Sequence, residues 1–137
     1  MEGSKEPQGS LVLRTLAMPA DTNPAGDIFG GWIMSQMDIA GGIMATELTG
    51  TRIVTVAVES ITFIKPVWVG DVVCCYGEVT RIGTTSVTIS LEVWVKPTNH
   101  VPGSGKEKFQ VTKAAFTYVS VDDEGNKLVI QRKKEQD

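Results

Sequence analysis

The stretch from Ile28 to Thr46, IFGGWIMSQMDIAGGIMAT, carries one charge in nineteen residues, Asp38, and any fold for this chain has to accommodate that carboxylate. Apolar residues recur at helical spacing through Ile33, Met37, Ala40, Met44 and Leu48, while Trp32, Met34, Ile39, Ile43 and Ala45 make the other faces nearly as apolar. A helix that is apolar all round is a buried one. The spacing predicts a helix over roughly residues 30 to 48. The turn Asn23-Pro24-Ala25-Gly26-Asp27 and the pair Gly30-Gly31 open it, and Gly50 closes it as a left-handed cap. The run approaches the ~20 apolar residues that span a bilayer. Ser35, Gln36 and Asp38 at mid-depth, and four diluting glycines, argue against a span.

Aspartate has poor helix propensity, and taking it out of water unpaired is costly. Such a group is a candidate base. The helix pattern alone equally allows a carboxylate that reaches solvent through a gap or accepts backbone N–H bonds from a neighbouring loop.

A chain of 137 residues, 42% hydrophobic and 21% charged, suits one globular domain. We expect it over residues 11–131, between a flexible N-terminus (1–10) and a charged tail (132–137). A net charge of −3 gives no general attraction for nucleic acid or anionic membrane, so neither is an expected partner, and any bound phosphate must meet local lysines and arginines. MEGSKEPQGS is polar and lacks a secretory apolar region, which points to the cytoplasm. Cys74 and Cys75 are adjacent in a strand-like run, so their side chains point to opposite faces and read as free buried thiols. The only histidine, His100, falls in a loop rich in Pro and Gly and reads as a surface residue. A Ser-His-Asp or Cys-His mechanism would rest on it alone, and the chain offers no His/Cys spacing for a metal.

Strand-like runs cover residues 11–18, 52–64, 71–81, 85–96 and 108–121, with Lys127 to Ile130 expected as a short edge strand. Ile82-Gly83-Thr84 joins two of them as a hairpin, and Asp122 to Asn126 makes a turn. The expected class is α+β: a long central helix wrapped by a curved antiparallel sheet of five or six strands. Sheet edges of this length need covering, which predicts at least a dimer.

The segments MPADTNPAGDIFGGWIMSQMDIAGG, VTVAVESITFIKPVWVGDVV and LEVWVKP closely resemble the hotdog-fold acyl-CoA thioesterases, and within them the YciA-like acyl-CoA hydrolases. The resemblance runs from about Leu11 to about Val121. It implies a hotdog fold, two subunits joining their sheets into one, assembly of dimers into hexamers, and hydrolysis of acyl-CoA to coenzyme A and a carboxylic acid. Coenzyme A is then substrate and product, and no cofactor is implied. It further implies a catalytic pair from two subunits, with Asp38 of SQMD matching the helix aspartate and Asn23 of DTN the loop asparagine. Asp27 matches a position where the family shows Asp or Asn and is a weaker site candidate.

The chemistry agrees with these roles. Hydrolysis of a thioester needs a base or nucleophile, and donors where charge develops on the carbonyl oxygen. Asp38 suits either of the first two roles. Asn23 offers an amide, although an asparagine before Pro24 also suits an Asx turn. The amides of Gly30 and Gly31 suit the carbonyl oxygen, unless these glycines serve close helix–sheet packing. The pantetheine arm suits strand backbone at Val56, Ala57, Val58 and Glu59, and the phosphates suit Arg52, Lys65, Arg81 or Lys96. Gly83 to Ser86 is a candidate phosphate nest or simply a hairpin turn. Trp32, Met34 and Met37 are candidates to line an acyl site or to be core. A hydratase on the same fold would want a histidine near the helix, and none is there. A non-catalytic acyl-CoA sensor is the alternative function, and a purely structural oligomerisation module leaves Asp38 unexplained.

Overall fold

The computed structural model describes residues 6–97 and 107–131. His100, most of the loop around it, the first five residues and the tail from residue 132 lie outside the described residues. Five strands and one long helix follow in the order β1 (Ser10–Leu16), α1 (Gly30–Thr49), β2 (Arg52–Phe63), β3 (Val72–Ile82), β4 (Ser86–Lys96) and β5 (Phe109–Val121), with a one-turn 3-10 helix at Pro19–Asp21. The strands form one antiparallel sheet in the order β1-β3-β4-β5-β2.

Strand alternation decides which side meets the helix. In β4, Val87, Ile89, Leu91, Val93 and Val95 are all buried in the core beneath α1, and Val111, Phe116 and Tyr118 of β5 join them. A register shift interrupts every strand pairing, at Leu11/Leu13, Thr55/Ala57, Glu59/Thr62, Val79/Arg81 and Val93/Trp94. Each bulge bends its strand and increases the twist, which is how a flat ladder curls around a helix. Gly50 ends α1 at φ 71°, the left-handed cap expected of it.

Two expectations need correction. The helix is not covered on all sides: Ile33, Gln36, Met37, Ala40, Gly41 and Ala45 are buried, but Ile39 and Ile43 are exposed. One five-stranded sheet covers one side of a helix, so the opposite side of this apolar helix is left for something else. Lys127 to Ile130 is not an edge strand. It makes one isolated bridge, Val121 to Lys127, and its amides at Leu128 and Ile130 donate to the carbonyls of Ser120 and Thr84. One carbonyl is on β5 and the other in the β3–β4 turn, so the segment crosses the end of the sheet instead of extending it.

The other local readings hold. Asp122 closes its turn by accepting the amides of Glu124 and Asn126 at 2.9 and 2.8 Å. Residues 83–86 are a hairpin, with the Gly83 amide spent on the Ser86 carbonyl at 2.7 Å. Cys74 and Cys75 are both free and buried, and burial pushes the Cys75 thiol up to about 12, with Cys74 adding to the shift. A thiol held protonated in this way is a packing residue and not a nucleophile.

Candidate active site

Asp38 lies eight residues into α1, which places it about 12 Å from the start of the helix. It is half-buried, and it is not unpaired. Its Oδ1 accepts the Thr55 hydroxyl at 2.7 Å and faces the Tyr118 hydroxyl at 3.1 Å, which also lies 3.1 Å from the Asp38 backbone carbonyl. Thr55 of β2 and Tyr118 of β5 are register partners, so two adjacent strands aim neighbouring side chains at the same carboxylate oxygen. Among the described residues nothing donates to Oδ2. The Asp38 carboxylate is therefore gripped by one oxygen and offers the other.

Sequence reading missed Thr55 and Tyr118. A tyrosine at the end of an otherwise apolar inward row was the available signal, because a buried phenol has to find a partner. Tyr118 is 0% exposed.

Asn23 sits in the turn before the helix. Its backbone amide donates to the Asp27 carbonyl at 2.8 Å, and its side-chain Oδ1 accepts the Ala25 amide at 2.9 Å. The Asx turn is thus real, and it has a consequence: with Oδ1 fixed, the Nδ2 donors are oriented and, among the described residues, unused. Asp27 enters this turn through its backbone carbonyl.

A cavity of about 360 Å³ opens beside the turn, lined by Asn23, Asp27, Gly30, Ile33, Phe63 and Lys65 among others. Asp38 is not part of its lining. Within one chain the structure brings Asn23, Asp27, Gly30 and Lys65 together, and it holds Asp38 apart from them.

The start of α1 has no side-chain cap and no acidic residue in its first turn. Its first amides are open donors at the positive end of the helix dipole. A Cβ on Gly31 would meet nothing within 4 Å, and one on Gly30 would only touch the Phe63 ring at 3.4 Å. Packing therefore does not require glycine at Gly31.

The remaining candidates scatter. Lys65 shares the cavity with Asn23, its ammonium 5.1 Å from the Phe109 ring. Arg52 donates to the Asp123 carbonyl at 3.2 Å, in a cleft that also holds Asp122. Lys96 lines a separate pocket of about 270 Å³ with Arg14 and Lys108. Arg81 is exposed on β3. Val56, Ala57, Val58 and Glu59 lie along the free edge of the sheet, with Val56 left out of the β5 pairing by a bulge. Met37 is core at 0% exposure, while Trp32 and Met34 are half-buried. Among the described residues no three His, Cys, Asp or Glu side chains converge as metal ligands.

Comparison with known proteins decides the family. Residues 25–101 match the family model described as "Thioesterase superfamily". The chain belongs to this superfamily. Among its relatives is the acyl-CoA thioester hydrolase YciA of Escherichia coli (strain K12), 60% identical over 119 residues that cover 87% of this chain and 89% of that protein. A solved hexameric broad specificity acyl-coenzyme A thioesterase is 55% identical, covers 94% of this chain and 86% of its own, and superposes with a TM-score of 0.87. A hexameric hotdog fold thioesterase of Campylobacter jejuni is 44% identical over 90% of this chain and 91% of its own, with a TM-score of 0.81. The sheet-wrapped helix of this thioesterase-superfamily chain is thus a hotdog fold. Among the described residues, no helix of the chain is long and apolar enough to cross a membrane.

Proposed function

We propose that this chain is an acyl-CoA thioesterase that hydrolyses the thioester to coenzyme A and a carboxylic acid. The observation that carries the reading is the carboxylate of Asp38, anchored through Oδ1 and open at Oδ2. It is supported by relatives named as acyl-CoA thioester hydrolases. Oδ2 acts either by taking a proton from an attacking water or by attacking the carbonyl carbon itself. The C–S bond then breaks, and the sulfur leaves as thiolate and takes up a proton; on the nucleophilic route a water then hydrolyses the acyl–Asp38 anhydride, which releases the carboxylic acid and restores the carboxylate.

Asn23 lies outside the surroundings of Asp38 within one chain, so the working site combines Asp38 of one copy with Asn23 of another. The oriented Nδ2 donates to the water or to the substrate. The open amides at Gly30 and Gly31 stabilise the carbonyl oxygen as it gains charge. The free β2 edge and the uncovered helix face with Ile39 and Ile43 suit pairing of two copies. Three such dimers would build the hexamer that the solved neighbours form. Lys65 is the phosphate-binding candidate that shares the Asn23 cavity. No cofactor enters this chemistry. One domain over residues 11–131 carries it, and two free buried thiols fit the reducing cytoplasm.

Thiol release from acyl-CoAs of increasing chain length tests the reading directly. Turnover is expected. Binding of coenzyme A without turnover of any member would overturn it in favour of a non-catalytic acyl-CoA sensor.

Gly31→Ala separates the catalytic use of the helix start from a packing role. The added methyl enters open space and improves helix propensity, so the melting temperature should hold or rise slightly. It also stands where substrate must approach the amides, so kcat should fall about tenfold or more, the scale on which a misplaced carbonyl contact acts. A lowered melting temperature with normal kcat would show the opposite.

A further inference from the structure

Resting on the thioesterase reading, we propose that Tyr118 is a positioning residue: its phenol fixes the Asp38 carboxylate from inside the core, so that Oδ2 faces the substrate. Tyr118 is fully buried, and its hydroxyl has two acceptors within 3.1 Å, both on Asp38: Oδ1 and the backbone carbonyl oxygen. A phenol has one proton to give, so it bridges the side chain and the backbone of one residue and restrains the torsion between them. Burial first, and the Asp38 carboxylate second, raise the phenol's pKa far above the ordinary tyrosine value, so it stays a neutral donor.

The helix is built to admit it. A Cβ on Gly41 would overlap the Tyr118 hydroxyl and stand 2.9 Å from two of its ring carbons. Glycine in a helix interior is unfavourable, and here it lets the phenol reach the preceding turn, where Asp38 lies. Thr55 meets the same Oδ1 from the strand side at 2.7 Å. The shorter, undivided bond from Thr55 is the stronger of the two, and the shared proton of Tyr118 is the weaker partner.

The test is Tyr118→Phe, which keeps the ring and removes only the hydroxyl. Loss of one hydrogen bond to a carboxylate corresponds to a fall in kcat of about tenfold, with KM unchanged, because the phenol touches no substrate. The same substitution made in an Asp38→Ala background should leave the residual rate unaltered. An equal loss in both backgrounds would overturn the proposal, as would a change in KM alone.

Crystal structures of the two proteins give a readout independent of turnover. One carboxylate orientation is expected for Asp38 in the wild type and more than one in Tyr118→Phe. If the wild type hydrolyses no acyl-CoA yet this difference appears, the thioesterase reading fails while the positioning stands. An unchanged, single orientation in Tyr118→Phe would overturn the positioning itself.

Discussion

Replacing Asp38 by alanine should lower kcat for acyl-CoA hydrolysis by about 100-fold or more, the usual scale for removing a general base or nucleophile, without loosening the fold. The second half of that expectation follows from the hydrogen bonds. When the carboxylate is removed, the Tyr118 hydroxyl keeps the residue-38 carbonyl oxygen as an acceptor, and the half-exposed Thr55 side of the site is open to water. No buried donor is orphaned, and alanine is a better helix residue than aspartate by about half a kcal/mol. Thermal unfolding and sedimentation of the variant should therefore match the wild type while activity collapses.

A mixing experiment sharpens the result. Asn23→Ala and Asp38→Ala chains, each inactive, are unfolded together and refolded as a mixture. If each site takes Asp38 from one copy and Asn23 from its neighbour, a two-fold pair formed at random restores about a quarter of the sites. A mixture as inactive as its parents would place both residues in one chain's site.

Val56→Asp should be nearly as damaging to activity although Val56 is not among the side chains that hold the Asp38 carboxylate. Val56 is 54% exposed, on an edge strand of 12 residues, and the bulge at Thr55/Ala57 leaves it without a partner on β5. Val54 and Val58, on the same strand, are also exposed. A long apolar edge in water is a site for strand pairing, and a charge there is the device by which natural edges refuse it. Across a two-fold axis the new carboxylates approach each other, and like charges so placed cost several kcal/mol. We expect sedimentation at the monomer mass, native far-ultraviolet circular dichroism, and a loss of turnover of about 100-fold, because Asp38 then lacks its complement from the second copy. Full activity in a proven monomer would show that the site is complete within one chain.

The sequence marked Asp38 because hydrophobic periodicity is a strong signal and a charge breaking it is conspicuous. The helix bounds followed from Gly30 and Gly50 almost to the residue, and five strand spans followed from β-branched runs between glycines and prolines. Three kinds of feature were not legible. Bulges shift the register by one residue without any mark in composition, yet they curl the sheet. Thr55 and Tyr118 are 63 positions apart in sequence, and only the β2–β5 pairing puts them on one oxygen. Lys127 to Ile130 has the composition of a strand, but the sheet end it crosses offers one carbonyl from β5 and one from the β3–β4 turn, and tertiary contacts overrode propensity. The exposed helix face was misjudged for a further reason: an all-apolar helix reports that it will be covered, without reporting whether the cover comes from its own chain.

Gly41 and Gly42 leave their mark on how the molecule assembles itself. Two glycines inside a helix put it about 2 kcal/mol behind the same helix with alanine, and the helix gains further stability only where it meets the sheet. The locally connected β3–β4 hairpin, extended by β5, is the expected seed of folding, with the helix condensing onto it afterwards. The segment carrying Asp38 therefore relies on the sheet for its stability. Catalysis then depends on the strands, through their two hydroxyls, to hold in place a carboxylate mounted on the least self-sufficient element of the chain.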